Sequence, residues 1–144
     1  NILLATKGSG YIAKIADFSI AKSLEDLGLN GSILTKPQAC MGTLPYMPPE
    51  QVIDVRKATF TADVFSMGAM FYQMLTSQLV RNFSRNQNEA IRQVVQDKTI
   101  AIEQRDQSIS TKLALVVNKS IELDPNRRYK NSSEFKAALE DAMD

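Results

Sequence analysis

The hydrophobic pattern divides the chain into three stretches. Ile2, Leu3 and Leu4 make a short apolar run, and "KGSG" (Lys7 to Gly10) follows with turn residues and glycines able to take positive φ. "YIAKIADF" is a second apolar run, so the start of the chain predicts a β-hairpin. Residues 19–45 show no lasting periodicity and carry Gly28, Asn30, Gly31, Pro37, Gly42 and Pro45. That predicts a long loop, and long loops inside compact domains are usually functional or disordered.

From Pro48 onward the pattern is helical. "PPEQV" suits a short helix with proline in its first turn and Glu50 near its positive end. Thr61 to Thr76 is predicted as a helix capped by Thr61, with Val64, Phe65, Met67, Met70, Phe71, Met74 and Leu75 covering more than one face. A helix apolar on most sides is a buried central helix. Met67, Met70 and Met74 form a stripe that reads as core packing rather than a ligand box. Asn86 and Glu89 resemble a capping pair ahead of Ile91, Val94 and Val95. Ser110 is expected to cap a helix carrying Leu113, Val116, Val117 and Ile121. Ser132 is expected to cap one carrying Phe135, Ala138, Leu139, Ala142 and Met143. There is no internal repeat. The expected fold class is α+β: a small hairpin, a long loop, then a helical body around one buried helix.

Composition narrows the chemistry. The 144 residues carry a net charge of +1, which gives no broad field toward nucleic acid or an anionic membrane. No apolar run is long enough to span a bilayer, and no signal peptide is evident. Cys40 is the only cysteine, so no internal disulfide is possible. Cys40 reads as a small packing residue rather than a redox switch, and a lone thiol suits a reducing cytosol. There is no histidine, which removes His-based general base catalysis within these residues and argues against a zinc site. The chain begins "NILLATKG", without methionine and apparently inside a strand, so it is expected to be part of a larger domain. "SSEFKAALEDAMD" reads as a complete final helix.

Asp17 closes the second apolar run, followed by Phe18 and Ser19. Alone, it is equally a metal ligand or a residue that opens a loop. The order of motifs decides more than any one of them. Asn1-Ile-Leu-Leu comes first and Asp17-Phe-Ser second; then come the long loop, "GTLPYMPPE" (Gly42 to Glu50), Asp63 near a helix start, and "LDPNRRY" (Leu123 to Tyr129). This series resembles the C-terminal lobe of the eukaryotic-like (Hanks-type) Ser/Thr protein kinases, from the catalytic-loop asparagine to the end of the domain, over essentially the whole chain. "GTLPYMPPEQ", the "ADVFSMGAMFYQMLT" helix and the following "RNF" resemble bacterial members more than animal ones.

The resemblance implies roles. Asn1 and Asp17 are the two ligands of Mg²⁺ (or Mn²⁺), with ATP as phosphoryl donor and protein Ser/Thr hydroxyls as acceptors. Such chemistry needs positioning and charge neutralisation more than covalent help, and Mg²⁺ keeps several waters, so few protein ligands suffice. Ser19 to Pro49 resembles an activation segment, with Ser23, Ser32 and Thr35 as candidate phosphate acceptors. Thr43 resembles the threonine near the acceptor site. "MPPE" stands where the family usually has Ala-Pro-Glu. Glu50 is then expected to form a buried salt bridge with Arg128 that anchors the segment, a structural role. Asp63 resembles the aspartate that braces the catalytic loop, with N-terminal helix capping as its alternative.

Several kinase parts are not in these residues: the catalytic base of H-R-D-x-x-x-x-N, the Gly-rich loop, the phosphate-binding lysine and its glutamate partner. Helices before Asn1 are expected to pack on the central helix, so this stretch alone should expose part of its core. The expected function is therefore part of a Ser/Thr protein kinase, inactive as an isolated piece. The alternative is a pseudokinase or scaffold, favoured by Ser19 where the family has glycine. Serine visits φ > 0 only at a cost of about 1 kcal/mol or more, so Ser19 is expected to restrict flipping of Asp17-Phe18. An unrelated α+β interaction domain would need five ordered coincidences. Protein substrates and ATP are the expected partners, with no nucleic acid and no membrane contact by this segment. The expected location is the cytoplasm, with a membrane tether elsewhere in the parent left open.

Overall fold

In the computed structural model, residues 2–16 and 44–144 are described. The hairpin and the helical body belong to different compact parts and are treated one at a time.

Strands β1 (Ile2–Lys7) and β2 (Gly10–Ile15) pair antiparallel, with Ile2 opposite Ile15 and Lys7 opposite Gly10. That register leaves Gly8 and Ser9 as a two-residue turn, with Gly8 at φ 60°. Two-residue hairpin turns need such left-handed positions because their twist matches that of the strands. Ile2, Leu4, Tyr11, Ala13 and Ile15 share one face by strand alternation.

The helical body contains α1 (Pro49–Ile53), α2 (Phe60–Thr76), α3 (Gln87–Gln96), α4 (Thr111–Ser120) and α5 (Ser132–Met143). Short 3-10 turns lie at Leu44–Tyr46, Val55–Lys57, Ile102–Gln104 and Pro125–Arg127. Helix α2 is the hub. Its residues Phe65, Ala69 and Tyr72 join Val80, Ile102, Ala114, Val117 and Ile121 in the main apolar cluster. A second cluster, Leu44, Met47, Val52, Ala90 and Val94, packs α1 and the preceding turn onto α3. Gly68 sets the α2–α4 approach: a Cβ there would lie 2.0 Å from the Ser120 hydroxyl oxygen.

The caps form where short polar side chains can reach the free N–H groups of a first turn. Asn86 accepts from Glu89 N at 3.2 Å, and Ser110 accepts from Leu113 N at 3.3 Å, as expected for α3 and α4. Two expected caps shift. Helix α5 is capped by Asn131, not Ser132: the Asn131 amide oxygen accepts from Glu134 N at 2.9 Å, and Ser132 is already helical. Helix α2 begins after Thr59, not Thr61, and Thr59 makes no side-chain cap. Its hydroxyl is instead engaged with that of Thr61 at 2.9 Å.

The methionine stripe is also less buried than its pattern implied. Met67 and Met70 are half-buried, lining a groove with Phe71, Phe135 and Leu139, whereas Met74 is 71% exposed. The small residues Gly68 and Ala69 bury a neighbouring face of α2, where α4 comes closest; the stripe lies to one side of it. Helix α2 ends at Ser77, a non-glycine residue at φ 56°.

Candidate functional site

Three of the expected site residues, Glu50, Asp63 and Arg128, lie in the helical body. Glu50 sits in the first turn of α1, where proline pre-sets the backbone and the helix dipole favours a carboxylate. Arg128 follows the 3-10 turn Pro125–Arg127, which starts where the Asp124 side chain accepts from Asn126 N at 2.9 Å. That turn aims the Arg128 side chain into the protein.

The structure joins Glu50 and Arg128 across 78 positions of sequence in a two-pronged pair. Arg128 Nη1 donates to Glu50 Oε1 at 2.7 Å, and Nη2 donates to Oε2 at 2.9 Å. The remaining donors are also used. Nη1 donates to Thr61 O at 3.0 Å, Nη2 to Leu123 O at 3.0 Å, and Nε to Glu122 O at 2.6 Å. A guanidinium carries five N–H groups, and all five have an acceptor here. The Arg128 side chain is 0% exposed and that of Glu50 is 15% exposed. Cζ of Arg128 also lies 4.9 Å from the centre of the Phe65 ring, within cation–π range. One side chain thereby ties together α1, the first turn of α2 and the α4–α5 connection.

Asp63 is different. It is exposed in the first turn of α2, and its side chain makes no hydrogen bond among the described residues. It occupies the fourth helical position, so it is not the cap; its carboxylate there still complements the positive end of the helix.

Helix α2 also holds the turn that leads into α1. Ser66 Oγ donates to Tyr46 O at 2.9 Å, and the Tyr46 hydroxyl donates to Gln73 Oε1. This turn directly follows Thr43 in sequence. Asn1, Asp17, Ser19, Ser23, Ser32, Thr35, Cys40 and Thr43 lie outside the described residues. Among the described residues, no group of three or more His, Cys, Asp or Glu is arranged to hold a metal ion.

A second buried arginine was not picked out by sequence. Arg81 follows α2 in the run "QLVRNF" and is only 3% exposed. Its Nε donates to Asp97 O at 3.0 Å, the carbonyl at the end of α3. Among the described residues, Nη1 and Nη2 have no hydrogen-bond partner. Burial pushes this guanidinium down to about 10, with the Asp97 carboxylate opposing and Arg128 adding to the effect. The only hint in the sequence is an arginine beside Leu79, Val80 and Phe83, a context that also suits an ordinary surface loop.

A mainly helical body, locked by a glutamate near one helix start and an arginine far along the chain, with a short hairpin ahead of it, is the arrangement of a protein kinase C-terminal lobe. Residues 1–140 match the protein kinase domain family, and the chain belongs to it. The relatives named here are bacterial. It is 31% identical over 143 residues to the probable serine/threonine-protein kinase CPE1738 of Clostridium perfringens, covering 97% of this chain and 19% of that protein. It is 29% identical over 143 residues to the serine/threonine-protein kinase PknB of Mycobacterium tuberculosis (96% of this chain, 21% of that protein). It is 28% identical over 149 residues to the probable serine/threonine-protein kinase SCO3848 of Streptomyces coelicolor (100% of this chain, 20% of that protein). The chain thus spans about a fifth of the length of the curated relatives it matches.

Proposed function

We propose that the whole protein is a Ser/Thr protein kinase that transfers the γ-phosphoryl group of ATP to protein hydroxyls, and that these residues are the helical lobe of its kinase domain. The observation that carries this reading is the Glu50–Arg128 lock, formed by the two residues that the family resemblance singled out. The lock immobilises α1, and α1 follows the turn after Thr43. Thr43 then belongs to the loop that receives the substrate hydroxyl.

The donor set suits the metal that this chemistry requires. Asp17 offers a carboxylate and Asn1 an amide oxygen, hard oxygen donors that Mg²⁺ or Mn²⁺ accepts. The hairpin supports bringing them to one cleft: Ile2, next to Asn1, pairs with Ile15, two residues before Asp17. Asn1 and Asp17 would hold such an ion, which when bound would supply charge neutralisation at the donor phosphates. Thr43 is assigned to the acceptor side. Ser23, Ser32 and Thr35 are candidate sites at which phosphate would order the segment by pairing with Arg or Lys. With no histidine, these 144 residues hold no His-Arg-Asp sequence, so the base lies elsewhere in the protein and this stretch by itself is inactive.

The half-buried groove of Met67, Met70, Phe71, Phe135 and Leu139 suits cover by helices from elsewhere in the parent. Among the described residues, no helix is long and apolar enough to cross a membrane. Cytoplasmic placement is part of the same proposal.

The test is phosphorylation of a protein acceptor by the full-length protein with ATP and Mg²⁺. Asp17→Ala should reduce it to background; full activity in that variant would remove Asp17 from the metal site. Ser19 favours a second reading, a scaffold with a kinase shape. Under it, the wild-type protein would bind partners yet show no turnover at any divalent metal concentration.

A further inference from the structure

Arg81 is a buried cation for which the described residues offer too few acceptors. Of its five N–H groups only Nε is used, on the Asp97 carbonyl at the C-terminal end of α3. Nη1 and Nη2 are buried and unpartnered. Its other neighbours do not compensate. Cζ lies 5.9 Å from the Phe65 ring centre, and the same ring has the Arg128 guanidinium at 4.9 Å. The cluster therefore holds two guanidinium groups and one fully committed carboxylate, Glu50. The nearby Asp97 carboxylate is 39% exposed and engaged at 3.5 Å with Arg92 on the surface. Buried polar groups are nearly always paired, and a free guanidinium edge matches the two oxygens of a carboxylate or phosphate.

We propose that the Nη edge of Arg81 is a binding site for a small oxyanion of the phosphate or carboxylate type. The ligand would accept from Nη1 and Nη2 while Nε stays on the α3 terminus, and its charge would offset the excess of cations around Phe65. This proposal is independent of phosphotransfer, since Arg81 is not one of the residues assigned to the metal or acceptor site. Entry requires opening of the segment after α2. That segment starts at Ser77 in a left-handed conformation and is held by side-chain bonds from Arg105 to Leu79 O and Asn82, and from Gln93 to Asn82 O.

The experiment is thermal unfolding of the full-length protein in inorganic phosphate, in acetate and in chloride at matched ionic strength. Wild type, Arg81→Met and Arg81→Lys are compared. General salt effects act on all three proteins alike. Wild type should gain several degrees in phosphate or acetate over chloride; Arg81→Met should show no such gain, and Arg81→Lys a reduced one. A larger gain in phosphate than in acetate identifies a phosphate-type ligand, and the reverse a carboxylate. Equal anion dependence in wild type and Arg81→Met would overturn the proposal. So would a large loss of stability in Arg81→Met in every buffer, because it would mean that a carboxylate of the protein itself already holds the guanidinium.

Discussion

The helical body buries two arginines against one phenylalanine ring and treats them in opposite ways. Arg128 has five acceptors for five N–H groups and a carboxylate partner; Arg81 has one carbonyl. The difference lies in the backbone around them. The α4–α5 connection and the first turn of α2 present carbonyls at Glu122, Leu123 and Thr61, and α1 adds Glu50. Among the described residues, Arg81 donates to one carbonyl, at the end of α3. A buried charge with every bond made acts as a structural bolt; one with most bonds unmade is a liability or a receptor.

The largest expected effect comes from breaking the satisfied site. Glu50→Gln should lower the unfolding free energy of the body by about 3–5 kcal/mol, because it strands Arg128 in the interior. Urea denaturation of the full-length protein measures this; a loss under about 1 kcal/mol would mean that the carbonyls alone hold Arg128. Next is Gly68→Ala, which pushes a methyl into Ser120 where α2 meets α4. We expect a loss of about 1–3 kcal/mol from overpacking. Pairing it with Ser120→Gly should recover part of that loss, since the clash is with the Ser120 side chain.

Arg81→Met should move stability the other way, or hardly at all. In oxyanion-free buffer it removes two unsatisfied donor groups and replaces them with an apolar side chain, against the loss of the single Nε bond to Asp97 O, for a net gain of at most about 1 kcal/mol. The sign of this change against that of Glu50→Gln is the contrast to test.

The smallest effect belongs to an exposed pair on α3. Arg92 Nη2 lies 2.6 Å from Glu89 Oε1, and this hydrogen bond holds the Glu89 carboxyl below its ordinary 4.5. A depressed acid binds its proton less tightly when folded, so its contribution is present above the unfolded value near 4.5. It is lost as pH falls through the lower folded value. Glu89→Gln should slightly flatten the acid limb of the stability curve below pH 4.5, and high salt should erase the difference.

Much of this organisation was legible in the sequence because it rests on local rules. The hairpin follows from two apolar runs around "KGSG", and the caps at Asn86 and Ser110 follow from short polar side chains ahead of apolar periodicity. Where two cap formers stand side by side, as in Asn131-Ser132, the pattern does not say which carries the helix boundary. The methionine stripe misled for a different reason. Periodicity marks an apolar face, whereas burial depends on which face a neighbour can approach, and Gly68 with Ala69 let α4 come closest to theirs. Glu50 and Arg128 were legible only through the resemblance, since no local pattern connects residues 78 positions apart. Arg81 left only its apolar neighbours Leu79, Val80 and Phe83 as a hint: its burial depends on how the segment after α2 folds back over Phe65.

The central claim is that the Glu50–Arg128 lock holds the segment leading from Thr43 into α2, and that Arg81 does not. Hydrogen exchange of the amides between residues 44 and 54 in the full-length protein tests it directly. Arg128→Met should speed exchange at Asp54 N, which donates to Glu50 O, and at Val52 N, which donates to Pro48 O, while Arg81→Met leaves both at wild-type rates. Unchanged protection in Arg128→Met, or equal loss in both variants, would contradict it.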